Sequence, residues 1–368
     1  MKLMTLGRFP LTLLFVIVMV SCGSELPYGS RFDEIRVMDR DQKDEALSTV
    51  PDTWIEAAMI TEDMVAKARE YRNATHSDYR LRNGVYVYSA TAAKYASSPG
   101  TLAARIAVLG FRDVYLSVSK SMIKSTDTWL RTFISACSDY GVKVYATRIA
   151  DVNMLVDTEL VKDDVDLIKT YNYAVRTKER YVGIAADLEP QTAKGDAHPG
   201  PSLPYTWNST DNYGVGRDND NLLKRTLNAL EVAYGDLQPS LYLNEAIAVA
   251  FQTSYDQGKL SYGSVPQFLN CCDYLVVMAY YAVKEDIWSK SLPSLKAADK
   301  EKSVSIAVKT ARNNVATDSL QELGWNNLIA TMEYVKLKGL EYPSFRGLDM
   351  FTYEGLETMW EWTSDTGK

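Results

Sequence analysis

Short apolar runs alternate with longer amphipathic ones along most of this chain. The runs "GVYVYSA" (84–90), "DVYLSVS" (113–119), "VKVYATRI" (from Val142) and "VGIAADLE" (182–189) have the β-branched and aromatic make-up of strands. Four more follow: "PSLYLNEAIAV" from Pro239, "DYLVVMAYY" from Asp273, "VSIAVKT" from Val304 and "FRGLDMFTYE" from Phe345. Between them, helical periodicity marks 101–111, "TWLRTFISACSDYG", 158–179, 222–235, the short "VPQFLNCC", 289–299 and 319–338, and "GLETMWEW" supplies a last helix. Strands and helices in strict alternation predict βαβ units and a parallel sheet.

Eight such units closing on themselves make an α/β fold of the (β/α)8 TIM barrel type, here spanning 81–368. The competing arrangement is an open, doubly wound sheet. That fold would carry a G-x-G-x-x-G phosphate fingerprint after its first strand, and none follows residue 90. Ahead of the barrel, 51–80 is a helical segment in which "PDTWIEAAMITEDMVAKAREY" (51–71) reads as one helix or a pair, and 22–50 is a polar tether. Residues 1–21 have the form of a signal peptide, with Lys2 and Arg8 before the apolar core "LTLLFVIVMV", which is too short to span a bilayer.

Period-two reading of the fourth strand separates two faces. Val182, Ile184, Ala186 and Leu188 form an apolar face for the outer helices, and Gly183, Ala185, Asp187 and Glu189 face the lumen. The lumen row thus begins small and ends at the C-terminal mouth, where barrel active sites lie, in two carboxylates. Like charges this close push one pKa upward, which suits a general acid near neutral pH. The loop that follows, 191–216, is rich in Gly, Pro, Ser and Asn, with Tyr205, Trp207 and Tyr213 interleaved, and opens at the same mouth.

Other residues join this candidate site by strand register. Tyr86 and Tyr88 lie on the first strand, and Arg148 lies on the third. Asn244 and Glu245 close the fifth; Tyr274, Val276, Met278 and Tyr280 share the inner face of the sixth; Asp349, Tyr353 and Glu354 end the eighth, with Trp360 and Trp362 beyond it. Were Glu245 to approach Glu189, the pair could act as acid and enzymic nucleophile, their separation setting the stereochemical outcome.

The motif "VGIAADLE" resembles the end of the D-G-x-D-x-D-x-E signature of glycoside hydrolase family 18, the chitinases and endo-β-N-acetylglucosaminidases, which are (β/α)8 barrels. Gly183, Asp187 and Glu189 match, and "DYLVVMAYY" resembles the family's M-x-Y-D at Met278 and Tyr280. The resemblance implies Glu189 as proton donor, Asp187 orienting an acetamido group, and Tyr280 hydrogen-bonded to that group. The substrate's own N-acetyl oxygen would be the nucleophile, so no cofactor is called for. Ala185 stands where the family has its middle aspartate, and Tyr281 replaces the aspartate after the tyrosine. A catalytically impaired barrel that binds glycans without hydrolysis is the alternative these departures leave open. In either case the partner is a glycan, with Tyr86, Tyr88, Trp207, Met278, Tyr281, Glu245, Asp349 and Tyr353 as candidate substrate-binding residues.

Composition narrows the rest. A net charge of −7 gives no basic face for nucleic acid, and 24 Tyr and 7 Trp supply stacking surfaces suited to sugars. With two histidines and no C-x-x-C, a His/Cys zinc site is not expected. The small residues before Cys22 resemble the lipobox of bacterial lipoproteins, which implies cleavage ahead of Cys22 and a membrane partner through a lipid on that residue. The expected location is the bacterial cell envelope, periplasmic or on the outer-membrane surface. Cys137, Cys271 and Cys272 remain, so at most one disulfide to Cys137 is expected, adjacent cysteines being poorly placed to pair.

Overall fold

The computed structural model describes residues 50–76, 81–195, 203–312 and 317–362; the leader, the tether and Cys22 lie outside the described residues. Eight strands form one closed, all-parallel barrel in sequence order. They are β1 (Gly84–Val87), β2 (Asp113–Leu116), β3 (Lys143–Thr147), β4 (Gly183–Ala186), β5 (Tyr242–Ala248), β6 (Tyr274–Met278), β7 (Val304–Lys309) and β8 (Phe345–Phe351). The (β/α)8 fold read from the alternation of apolar runs is therefore the fold observed.

Alternation along each strand sorts the core into two. Outward side chains such as Val85, Val114, Val144, Ile184, Leu243 and Val277 join the large core beneath the helices. Inward ones form a separate lumen cluster dominated by tyrosine: Tyr86, Tyr115, Tyr145 and Tyr274 with Ala185, Ala246, Val276 and Ala307. Val182 departs from its expected place, packing against the lumen cluster, because the chain enters β4 only at Gly183. At the base of the lumen Asp113 is fully buried between Arg82, at 2.8 Å, and Arg346, which hold its carboxyl well below the usual carboxylate range against the cost of burial. The Arg346 guanidinium lies 3.8 Å from the centre of the Tyr274 ring, so the cation is partnered on its face as well as its edge.

Element boundaries shift where local chemistry intervenes. The 51–71 segment is a pair of helices, Asp52–Ala58 and Glu62–Thr75, broken at Met59 in the left-handed region, with Thr61 capping the second. The first strand stops at Val87, and Ser89–Lys94 is a short helix in place of the expected strand end. The helix expected over 289–299 begins at Lys284 and ends at Ala297, and that expected over 319–338 runs from Gly324 to Gly339 after a 3-10 turn. Cys137, Cys271 and Cys272 are free and buried.

Gly183 is demanded by packing rather than by backbone angle. A Cβ there would lie 2.2 Å from the Tyr242 carbonyl oxygen of the adjacent strand. Gly235, in the helix Asp218–Leu237, has nothing within 4 Å of the same position. Gly183→Ala is thus expected to destabilise the protein by about 1–3 kcal/mol, and Gly235→Ala to stabilise it by about 0.5–1 kcal/mol. Thermal unfolding of the two variants checks both signs.

Candidate active site

At the C-terminal end of β4 the chain passes straight from buried strand to site. Asp187 follows Ala186, its backbone N–H donating to the Ile149 carbonyl at 3.2 Å. Ile149 sits in the left-handed region, with φ 56°, which is unfavourable for a β-branched residue. The Asp164 carboxylate holds it there by accepting the Ile149 N–H at 3.2 Å, and is itself tied to Lys120 at 2.7 Å and Arg148 at 3.2 Å. On the other side, the Leu188 N–H donates to Glu245 Oε1 at 3.2 Å. Pro190 then opens a single 3-10 turn, Pro190–Thr192, whose Thr192 N–H and hydroxyl both bond the Glu189 carbonyl.

Both carboxyl groups at this mouth are destabilised as anions. Burial, then the charge of Glu189, raises Asp187 to about 7. Burial also raises Glu189, partly offset by the hydrogen bond from Gln191 Nε2 to Glu189 Oε1 at 2.9 Å. Asp187 Oδ1 is buried with no hydrogen-bond partner, and neither carboxyl forms an ion pair among the described residues. An orphaned acceptor of this kind costs about 1–3 kcal/mol unless a ligand or water supplies the missing donor.

Phenols and one phenyl ring surround the pair. Tyr280 and Tyr88 are both raised, by burial first and then by Asp187 among the nearby charges, so they remain protonated donors. The Phe351 ring stacks on Tyr280 at 5.2 Å and meets Tyr86 and Tyr88 edge-on at 5.6 and 5.8 Å, giving an apolar aromatic wall beside two carboxyls. Lys309, the last residue of β7, lies 5.7 Å from the centre of the Tyr280 ring and is paired with Asp318 at 3.0 Å. This set can protonate a leaving group, accept an N–H, donate to an acyl oxygen and face a sugar ring.

The structure brings together Asp187, Glu189, Tyr280, Tyr86 and Tyr88, with Met278 packed on the lumen cluster alongside. Asp349 also faces the lumen but lies deeper: it is fully buried, accepts the Gly84 N–H at 2.7 Å and the Tyr115 hydroxyl at 2.9 Å, and is raised to about 6, chiefly by burial. Its oxygens are thus already engaged by the barrel wall.

Other expected residues fall outside the cluster. Glu245 points away from the lumen, on the face of β5 shared with Leu243 and Ile247, so it cannot serve as a nucleophile opposite Glu189. Tyr353 turns outward because β8 ends at Phe351 and Thr352 caps a helix; its hydroxyl donates to Glu357 at 3.3 Å in the outer core. Trp360 is likewise outside the barrel, donating to the Met64 carbonyl at 2.8 Å. Trp207 packs on Phe251, with ring centres 5.6 Å apart, and Tyr281 packs against the outer core. Phe351, which sequence reasoning missed, had one available signal: it shares strand parity with Asp349.

No protein-family profile matches the chain, and no curated protein matches it. Among solved structures it is similar to a GH18 chitinase from Pseudoalteromonas aurantia, with 14% identity over 76% of this chain and 97% of that one, and a TM-score of 0.49. It is also similar to a chitinase from Bacteroides thetaiotaomicron, with 9% identity over 75% and 90% of the two chains and a TM-score of 0.44. The spore cortex-lytic enzyme SleL of Bacillus cereus shares 8% identity over 74% and 70%, with a TM-score of 0.46. These are likenesses of fold.

The raised Asp187 gives a pH signature. Its folded pKa of about 7 exceeds the ordinary value of 3.8, so between those values the native state holds more protons than the unfolded chain. Stability contributed by this group is present below pH 4 and lost as pH rises towards 7. Asp187→Asn removes that dependence, so its melting temperature relative to wild type should rise between pH 4 and pH 8. A difference that stays constant across the range would contradict the assignment.

Proposed function

We propose that this protein is a glycoside hydrolase that cleaves β-linked N-acetylglucosamine within a glycan, of endo-β-N-acetylglucosaminidase or chitinase type. The observation that carries the reading is the pair of desolvated carboxyls, Asp187 and Glu189, at one barrel mouth with Tyr280 and Tyr88 beside them and, among the described residues, no cation paired with either. The Gly183–Asp187–Glu189 and Met278–Tyr280 matches to family 18 point the same way.

The steps follow from the charges. Glu189, whose anion is disfavoured by burial, acts as the acid and gives its proton to the glycosidic oxygen as that bond breaks. The substrate's acetamido oxygen attacks the anomeric carbon and forms an oxazolinium, so no enzymic nucleophile is required and the outward-facing Glu245 is not missed. Asp187 accepts the acetamido N–H with the oxygen that otherwise has no partner, while the Tyr280 hydroxyl donates to the acetamido oxygen and fixes its approach. Glu189, now a carboxylate, takes a proton from the water that opens the oxazolinium, which restores the acid and retains anomeric configuration. Tyr86, Tyr88 and Phe351 provide the aromatic wall for the sugar ring.

Ala185 offers no charge beneath Asp187, and the cycle above asks for none: Asp187 is tuned by burial and Glu189. In the same reading Cys22 carries a lipid that anchors the protein in the bacterial cell envelope, a proposal supported by the charged, apolar and small-residue segments that precede it.

The test compares wild type with Glu189→Gln on chitooligosaccharides and high-mannose N-glycans. Loss of the general acid should lower kcat by about 10²–10⁴-fold with little change in KM. Equal turnover by the two proteins, or glycan binding by wild type without any turnover, would overturn the proposal.

A further inference from the structure

Glu245 takes no part in that mechanism, yet it is built against the segment that performs it. Its side chain is fully buried, with 0% exposure, on the helix-facing side of β5 opposite Ala186. Oε1 accepts the Leu188 N–H at 3.2 Å, and Oε2 has no partner. No cation is paired with it among the described residues. A carboxyl placed so is unfavourable, and an apolar residue of similar size would pack there at lower cost, so stability gives no reason for it. Burial, reinforced by Asp187 and Glu189, pushes Glu245 well up from the usual carboxylate range.

Its position supplies the reason. Leu188 separates the two carboxylates of the site, and its amide lies beyond the last β4–β5 register pair, Ala186 with Glu245, where the backbone ladder no longer holds the chain. The Asp187 amide is held from the other side, by the Ile149 carbonyl in the segment after β3. The 187–189 segment is thus gripped on one side by a main-chain oxygen and on the other by a side-chain oxygen. We infer that Glu245 is a positioning residue that fixes the Asp187–Glu189 segment from behind β4 through the Leu188 amide; its catalytic consequence rests on the role proposed for Glu189.

The experiment compares wild type, Glu245→Gln, Glu245→Leu and Glu189→Gln by kcat, KM, melting temperature and hydrogen exchange at the Leu188 amide. Glu245→Gln keeps an acceptor oxygen of the same reach and should match wild type in all four readouts. Glu245→Leu should speed exchange at Leu188 and lower kcat about 10–100-fold with KM within about twofold, because a small misplacement of an acid is costly to the chemical step. Its melting temperature should not fall, which a merely structural role would require. Should the leucine variant not fold, Glu245→Met serves as the acceptor-free replacement. Unchanged Leu188 exchange in the acceptor-free variant, or equal damage from Gln and Leu, would overturn the inference. An inactive wild type, or an active Glu189→Gln, would instead count against the proposed hydrolysis, while the exchange rates would still decide whether Glu245 holds the segment.

Discussion

Two carboxyl groups held side by side in a desolvated barrel mouth, with no cation paired to either among the described residues, are the interaction on which the rest of this site depends. Burial disfavours the anion of each, and the charge of Glu189 adds to the burden on Asp187. Stability alone would not maintain such a pair, since replacing it with apolar residues would relieve both the desolvation and the orphaned Asp187 oxygen. The pair makes sense as chemistry: a carboxyl whose burial favours its acid form next to an acceptor oxygen with no donor of its own.

The barrel supplies what the pair needs at three levels. At the base, the Arg82–Asp113–Arg346 set confines its charges to one another, away from the mouth. Above it, Tyr86, Tyr115, Tyr145 and Tyr274 fill the lumen with rings. At the top, the 187–189 segment has outlived its strand ladder and is held by the Ile149 carbonyl and the Glu245 carboxyl. Ile149 in turn keeps an unfavourable backbone angle only because Asp164, charged and paired with Lys120 and Arg148, accepts its amide. Strain at the site is thus offset by the neighbouring ion-pair network of Asp164, Lys120 and Arg148.

Much of this was legible in the sequence, for reasons that differ by element. β4 could be read because its outward positions are uniformly apolar while its lumen positions end in acids, so the period of two fixed which side Asp187 and Glu189 occupy. β5 could not be read in the same way. Tyr242 and Ala246 inside and Leu243 and Ile247 outside are all apolar, so nothing in "YLNEAIA" shows whether Asn244 or Glu245 faces the lumen. Tyr353 was misplaced because the strand pattern in "FRGLDMFTYE" continues past the point where Thr352 caps a helix and turns the chain outward. Phe351 was overlooked since a phenylalanine at a strand end carries no chemical signal of its own; only its rings' neighbours, Tyr280, Tyr86 and Tyr88, reveal its place. The clamp through Glu245 was invisible for a further reason: it depends on where the β4–β5 ladder stops.

The central claim is that Asp187 and Tyr280 together receive an acetamido group while Glu189 protonates the departing oxygen. A crystal structure of the protein soaked with N-acetylglucosamine-thiazoline, which mimics the oxazolinium, tests it most directly. The account predicts the thiazoline ring at the barrel mouth against Phe351, its nitrogen within hydrogen-bond distance of Asp187 Oδ1 and its fused ring within reach of the Tyr280 hydroxyl. A mimic that binds elsewhere, or that occupies the mouth with its ring nitrogen turned away from Asp187, would contradict it.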